Sequence, residues 1–207
     1  TLSSSSAASD VYKRQQGMGA NVIITEVDPL PALRAIMDGF RVMKMDEAAK
    51  YGDIFCTATG MKDVIVDRHF SVMKDGAIIS NTGHYDCEIN IDDLKAQASS
   101  NRTIRDNNVE YTMKDGRKIF LLADGRLVNL AAAEGHPSEV MDMSFANQYL
   151  ALCRLAKEGS EMQPIVYDIT TEQDQSLAVT KLATLGFAID TLTEEQIAYL
   201  DDYNAGT

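Results

Sequence analysis

Residues 20–40, ANVIITEVDPLPALRAIMDGF, read as a strand followed by a helix. The run NVIIT at 21–25 is apolar and β-branched, the composition of a buried strand. It ends in an acid, Glu26. Asp28 and Pro29 then open a helix. An Asp side chain accepts one of the free N–H groups of the first turn, and proline lacks an N–H that would be unpaired there anyway. Leu33, Ile36 and Met37 recur at helical spacing, and Gly39 stops the helix. A second apolar run, FRVM at 40–43, follows at once. Strand, helix, strand at this spacing predicts a right-handed βαβ unit with a parallel strand pair.

The alternation continues along the chain. A short helix is expected over 46–50, a strand over 54–58, a helix over 67–73, and a strand over 77–80 that runs into Asn81, Thr82, Gly83 and His84. Another helix is expected near 92–98. Strands at 109–113 and 118–123 flank Asp115 and Gly116, a strong hairpin signal. A last strand is read at 127–130. Pro137 then opens the longest helix, to Lys157, with Met141, Phe145, Leu152 and Ala156 on one face. A linker at 159–169 precedes a helix over 172–185. Thr193 and Gln196 form a capping box, in which each side chain satisfies the other's backbone N–H. The fold class expected is α/β: a doubly wound, Rossmann-type parallel sheet, then a long helix and a C-terminal helical arm.

Composition narrows the function classes. The chain has 207 residues, 45% hydrophobic and 24% charged, ordinary for a globular protein. Its net charge of −12 argues against nucleic acid and against anionic membrane surfaces, since both need clustered cations. No apolar run approaches the roughly 18 residues that cross a bilayer. Cys56, Cys87 and Cys153 are far apart and show no zinc or redox spacing, which suits reduced thiols and a cytoplasmic setting. His69, His84 and His136 show no ligand repeat, and no metal is expected.

Several residues stand where open α/β sheets bind ligands, at the carboxyl ends of strands. Glu26 fits the acid that takes ribose hydroxyls of a dinucleotide, and its charge would repel a 2′-phosphate, favouring NAD over NADP. Thr57, Thr59 and Gly60 end one strand, and Thr82, Gly83 and His84 end the next. Gly83 allows a close approach. Asn129 and His136 stand at a strand-to-helix corner. The plain structural readings remain beside these: turns at 57–60, a brace for Asn129, a cap or a core imidazole for the histidines. The glycine-rich loop that cradles pyrophosphate lies about 20 residues before such an acid. Residues 1–15, TLSSSSAASDVYKRQ, hold no glycine, and Gly17 and Gly19 come too late. That segment is expected to be a non-native or disordered leader, and the sheet is expected to lack its first, central strand. The domains expected are then an incomplete cofactor domain at 16–136, a connecting helix at 137–159 and a dimerisation arm at 160–207.

Three stretches together, ANVIITEVDP at 20–29, NTGHYDCEI at 81–89 and RLVNLAAAEGHPSEVMD at 126–142, resemble S-adenosyl-L-homocysteine hydrolase. The resemblance runs from about residue 16 to the end of the chain. It covers only the C-terminal half, or a little more, of that family's chain. It implies reversible hydrolysis of S-adenosylhomocysteine to adenosine and homocysteine, with tightly held NAD as cofactor. It also implies a homotetramer or homodimer. The CTATG region, with Thr57, Thr59 and Gly60, would lie beside the nicotinamide half of NAD. Thr82, Gly83 and His84 would contact the cofactor, largely through backbone. His84 would also assist proton movement, and Asn129 would bind the carboxamide. His136 would touch cofactor and substrate, with Leu127, Leu130, Met141 and Phe145 as an apolar wall.

Two departures qualify the resemblance. Thr82 stands where many relatives carry a small or apolar residue. The end, YLDDYNAGT, resembles a shorter subclass without a tail that reaches a neighbour's NAD. Most acids and bases of the family lie in its other half, so this chain alone is expected to be inactive. Two alternatives stay open: a non-catalytic regulatory homologue, and an NAD-dependent 2-hydroxy-acid dehydrogenase. The second expects an Arg, Glu, His relay that these stretches do not supply.

Overall fold

The computed structural model describes residues 5–200. The first four residues of the expected leader and residues 201–207 of the C-terminal end lie outside them. The chain divides into two compact units, Thr1–Gly135 and His136–Thr207.

The first unit opens with helix α1, Ser5–Gly17. Residues 5–15 of the leader expected to be non-native or disordered are helical in this structure. Lys, Arg and Gln are good helix formers, and the helix is anchored at its far end. The Tyr12 ring meets Phe40 edge-on at 4.7 Å, and Lys13 pairs with Asp38 at 3.2 Å. Strand β1, Ile23–Ile24, and strand β2, Arg41–Val42, pair in parallel around helix α2, Pro29–Met37. The Asp28 side chain caps α2 by accepting from Leu30 N at 2.9 Å, with Pro29 in the first turn, as read from the sequence. The strand expected at 21–25 is shorter and only half-buried, because β1 has one neighbour and not two.

Helix α3, Met45–Ala48, leads to strand β3, Ile54–Thr57, helix α4, Asp67–Phe70, and strand β4, Ala77–Asn81. Helix α5, Ile91–Gln97, precedes strands β5, Ala98–Arg105, β6, Asn108–Met113, and β7, Lys118–Leu122. These strands form a five-stranded sheet in the order β3-β4-β7-β6-β5. β3, β4 and β7 pair in parallel, and β6 pairs antiparallel with β7 on one side and β5 on the other. The sheet is therefore mixed, with a parallel half that carries the strand ends of interest. Ile79, Ile119 and Leu121 from the sheet pack with Ile65, Phe70, Met73, Ile89 and Leu94 in the core.

Two further elements differ from expectation. β5 was not foreseen: ASSNRTIR is polar and largely exposed, because an edge strand needs no apolar face to pair by its backbone. The strand expected at 127–130 is instead helix α6, Val128–Ala131, and only Leu127 bridges Asn81. β7 already covers β4 as far as Ile79. The chain then turns through Ala123, Asp124 and Gly125, all at positive φ, and returns to β4 just past the end of β7.

In the second unit, helix α7, Ser138–Glu158, packs with helix α8, Thr171–Thr184. Lys181 reaches Asp142 at 2.5 Å, and Asn147 bonds both Gln173 and Asp174. Helix α9, Glu194–Leu200, begins at the expected box, with Thr193 N on Gln196 Oε1 at 2.9 Å and the reciprocal bond at 3.2 Å. None of residues 136–199 is buried. Of the face expected on α7, Met141 is half-buried, and Phe145, Leu152 and Ala156 are exposed. Among the described residues, no helix is long and apolar enough to cross a membrane.

His69 is a buried imidazole with a fixed tautomer. Its Nδ1 accepts from Val66 N at 3.1 Å, so Nε2 carries the proton and donates to Asp46 at 2.8 Å. Burial pushes its pKa below the usual value of 6.5, against the opposing effect of the hydrogen bond it donates to Asp46. The unfolded chain therefore takes up the proton first, and stability falls as pH drops from about 6.5 towards the lowered folded value. Thermal midpoints of the folded protein between pH 8 and pH 5 (about that range) should fall on the acid side, and His69→Gln should flatten the slope. Equal slopes would exclude this role.

Candidate functional site

The parallel half of the sheet brings three chain segments to one edge. Thr57 ends β3, Asn81 ends β4 directly beside it, and Leu127 bridges Asn81 on the other side. Asn81 is fully buried and ties all three. Its Oδ1 accepts from Thr57 Oγ1 at 3.1 Å and Gly83 N at 2.6 Å. Its Nδ2 donates to Tyr85 O at 2.7 Å and Gly125 O at 3.0 Å. Thr82 adds two bonds to Thr57 O, from its N–H at 2.8 Å and its hydroxyl at 3.0 Å. Both donors of Thr82 are therefore spent within the protein.

The loop after β3 is held by a second buried polar residue, Glu88, at the end of a short 3-10 turn. Its carboxylate accepts from Thr59 N at 2.9 Å, Thr59 Oγ1 at 2.8 Å and Gly60 N at 2.7 Å. The two glycines here differ in kind. Gly60 has φ of +69° with open space around a would-be Cβ, so its backbone needs glycine. Gly83 is needed for contact: a Cβ there would stand 1.8 Å from Glu88 Oε1. The close approach foreseen at Gly83 is, in this structure, that of the protein's own carboxylate.

His84 lies on the surface beyond Gly83, its ring edge-on to Tyr85 at 4.7 Å. An open hollow of about 500 Å³ is lined by His84, Tyr85, Asp86, Arg126, Leu127, Leu130 and Ala131. Leu130 is 67% exposed there, an apolar wall that faces the solvent. Asn129, on α6, carries a buried Oδ1 without a hydrogen-bond partner among the described residues. That oxygen keeps an unfilled acceptor capacity, which an N–H donor would satisfy. Glu26 stands exposed at the end of β1. Its Oε1 accepts from Val27 N at 2.7 Å and Asp28 N at 3.1 Å, which leaves the other oxygen open to hydroxyl donors. His136, Met141 and Phe145 belong to the second unit; His136 is exposed and just precedes α7, and Phe145 is 58% exposed.

The residues fit a dinucleotide in part. Acid, strand-end loops and orphan amide are present. The glycine-rich cradle is not found among the described residues, since α1 reaches Gly17 without a glycine. Among those residues no cluster of three or more His, Cys, Asp or Glu suits a metal. Asn81 and Glu88 were missed by the sequence reading. Glu88 was visible as an acid inside CEINI, between Cys87 and Ile89, with no charge partner nearby in the chain.

A mixed α/β sheet with parallel strand ends of this kind is consistent with an NAD-binding domain of Rossmann type. The family model described as "S-adenosyl-L-homocysteine hydrolase, NAD binding domain" matches residues 8–135, and the chain belongs to that family. The match ends where the first compact unit ends. It also begins earlier than the resemblance at residue 16 suggested. The chain is 55% identical over 197 residues to the adenosylhomocysteinase of Aquifex aeolicus, covering 95% of this chain and 47% of that one. It is 53% identical over 194 residues to that of Gloeothece citriformis, covering 94% and 45%. It is also 53% identical over 197 residues to the S-inosyl-L-homocysteine hydrolase of Methanococcus maripaludis, covering 95% and 47%. The chain spans about half the length of the curated relatives it matches. These matches do not favour the regulatory or dehydrogenase alternatives.

Proposed function

We propose that this chain is the cofactor-binding part of an enzyme that hydrolyses S-adenosyl-L-homocysteine reversibly to adenosine and homocysteine in the cytoplasm. The observation that carries it is the strand-end site on a domain of that family, with relatives of that name aligned along nearly the whole chain. NAD, when bound, supplies the oxidation and re-reduction of the substrate ribose. Glu26 takes the adenosine ribose hydroxyls of the cofactor. Thr57, Thr59, Gly60, Thr82 and Gly83 form the edge against its nicotinamide half, and Asn129 accepts from the carboxamide. His84 assists proton movement at the substrate. His136 is read as a cofactor- and substrate-binding residue, and Leu127, Leu130, Met141 and Phe145 as substrate-binding residues. The match to an S-inosyl-L-homocysteine hydrolase leaves adenine and hypoxanthine as the two candidate bases.

The proposal includes a division of labour. In a doubly wound sheet the first strand sits between the second and the fourth. The open edges of β1 and β3 are where that strand would pair, and the pyrophosphate cradle would follow it. Without these the 207-residue chain should bind NAD weakly and show no hydrolysis. Joined behind the N-terminal half of the Aquifex aeolicus relative, it should release adenosine from S-adenosylhomocysteine. Hydrolysis by the chain alone, or NAD at micromolar levels (about that) clearly raising its thermal midpoint, would refute this division. A joined protein that binds NAD but hydrolyses nothing would refute the activity.

In the joined protein, Glu26→Gln should weaken NAD and reduce the preference for NAD over NADP, by roughly tenfold for one charge-assisted bond. His84→Gln should lower turnover by about 10²-fold or more while NAD stays bound. Unchanged selectivity would remove the role of Glu26, and unchanged turnover that of His84.

Residues 137–159 are read as the helix that connects to the substrate domain, and residues 160–207 as an arm that packs on another subunit of a homodimer or homotetramer. The support is physical: the arm has no buried residue among 160–199, while Ile165, Val166, Val179, Phe187, Ile189 and Leu192 are exposed. Deleting 160–207 from the joined protein should lower its assembly state on sizing with light scattering. The same oligomer after deletion would exclude the arm.

A further inference from the structure

Glu88 is fully buried, and the cofactor reading gives it no ligand. Its main chain is pinned as firmly as its side chain. Val64 N and Ile65 N both donate to Glu88 O, at 2.8 Å and 3.0 Å. The carboxylate therefore enters the loop after β3 from a fixed base. There it meets two successive backbone N–H groups and a hydroxyl, from Thr59 and Gly60. Successive loop N–H groups converging on one point are what proteins use to hold phosphate or carboxylate ligands. In this chain the nest is filled from within. On its far side Oε1 leans on Gly83, where a Cβ would stand only 1.8 Å away.

We infer that Glu88 is a positioning and specificity residue for the cofactor. It occupies the anion nest of the β3 loop, so this strand end accepts only an uncharged part of the dinucleotide and the phosphates are held elsewhere. It also sets the height of Thr59 and Gly60 relative to Gly83, because one carboxylate touches both loops. The inference rests on the NAD reading above.

The joined protein tests it, with Glu88→Gln and Glu88→Asp. The amide of Gln keeps the volume but offers one acceptor atom and two donors to a ring of donors. NAD affinity should fall roughly tenfold or more, the loss expected of one hydrogen bond to a charged group. Glu88→Asp restores the anion one methylene short, and should recover part of the affinity. A purely structural Glu88 would lower the thermal midpoint while leaving NAD affinity unchanged, and that result overturns the inference. Should Glu88→Gln fail to fold, Glu88→Asp decides: reduced NAD affinity supports the inference, and wild-type affinity overturns it. Loss of NAD binding in the unsubstituted joined protein would bring down the cofactor reading itself. NAD binding that is indifferent to both substitutions brings down only the role of Glu88.

Discussion

One buried amide governs how the site is assembled. Asn81 can accept twice and donate twice, and all four capacities are used: by Thr57, Gly83, Tyr85 and Gly125. A buried amide with any of these unpaired would cost about 1–3 kcal/mol. The arrangement is therefore strongly determined. Two neighbouring strands must end in register, the loop after the second must turn back, and the chain after β7 must pass close by. Each condition places a different part of the candidate site. The hydroxyl of Thr57 is drawn inward, Gly83 is fixed beside Glu88, and Leu127 is led to the strand edge.

Much of this architecture was legible in the sequence because the strongest local rules agree with the fold. Asp28 with Pro29, and Thr193 with Gln196, are caps whose partners lie within three residues, so no tertiary information is needed to foresee them. The hairpin around Asp115 and Gly116 is equally local. The misses share a different cause. β5 is polar because an edge strand is specified by its neighbour's backbone. The stretch at 127–130 has a strand's composition, but the strand it would pair with is already occupied along most of its length. Periodicity does not see occupancy.

The site was legible in its outline and not in its interior. Residues at strand ends can be marked once the strands are placed, and Glu26, Thr57, Thr59, Gly60, Thr82, Gly83 and His84 were marked in that way. Asn81 and Glu88 stand among them and do the holding. Asn81 meets Gly83 and Tyr85 locally but reaches Thr57 and Gly125 only through the fold, and the carboxylate of Glu88 has no partner within turn distance. Glu88 meets Thr59 and Gly60 from nearly thirty positions away (|i−j| of 29 and 28). Gly83 shows the same limit from the other side. A glycine in a loop near a ligand site suggests room for a ligand, whereas here the room is taken by a side chain five positions later in the sequence.

The turn after β7 carries a further consequence. Ala123 has φ of +55° and is completely buried, followed by Asp124 at +52° and Gly125 at +76°. A left-handed backbone costs an alanine roughly 1–2 kcal/mol, so this turn does not hold its shape unaided. Its neighbours hold it: the packed floor beneath Ala123, the amide of Asn81 on Gly125 O, and Arg126 closing back on Ala123 O at 3.2 Å. The position of Leu127 and Leu130 at the sheet edge is therefore tied to the core beneath Ala123 and to Asn81, and not to the local sequence of the turn alone.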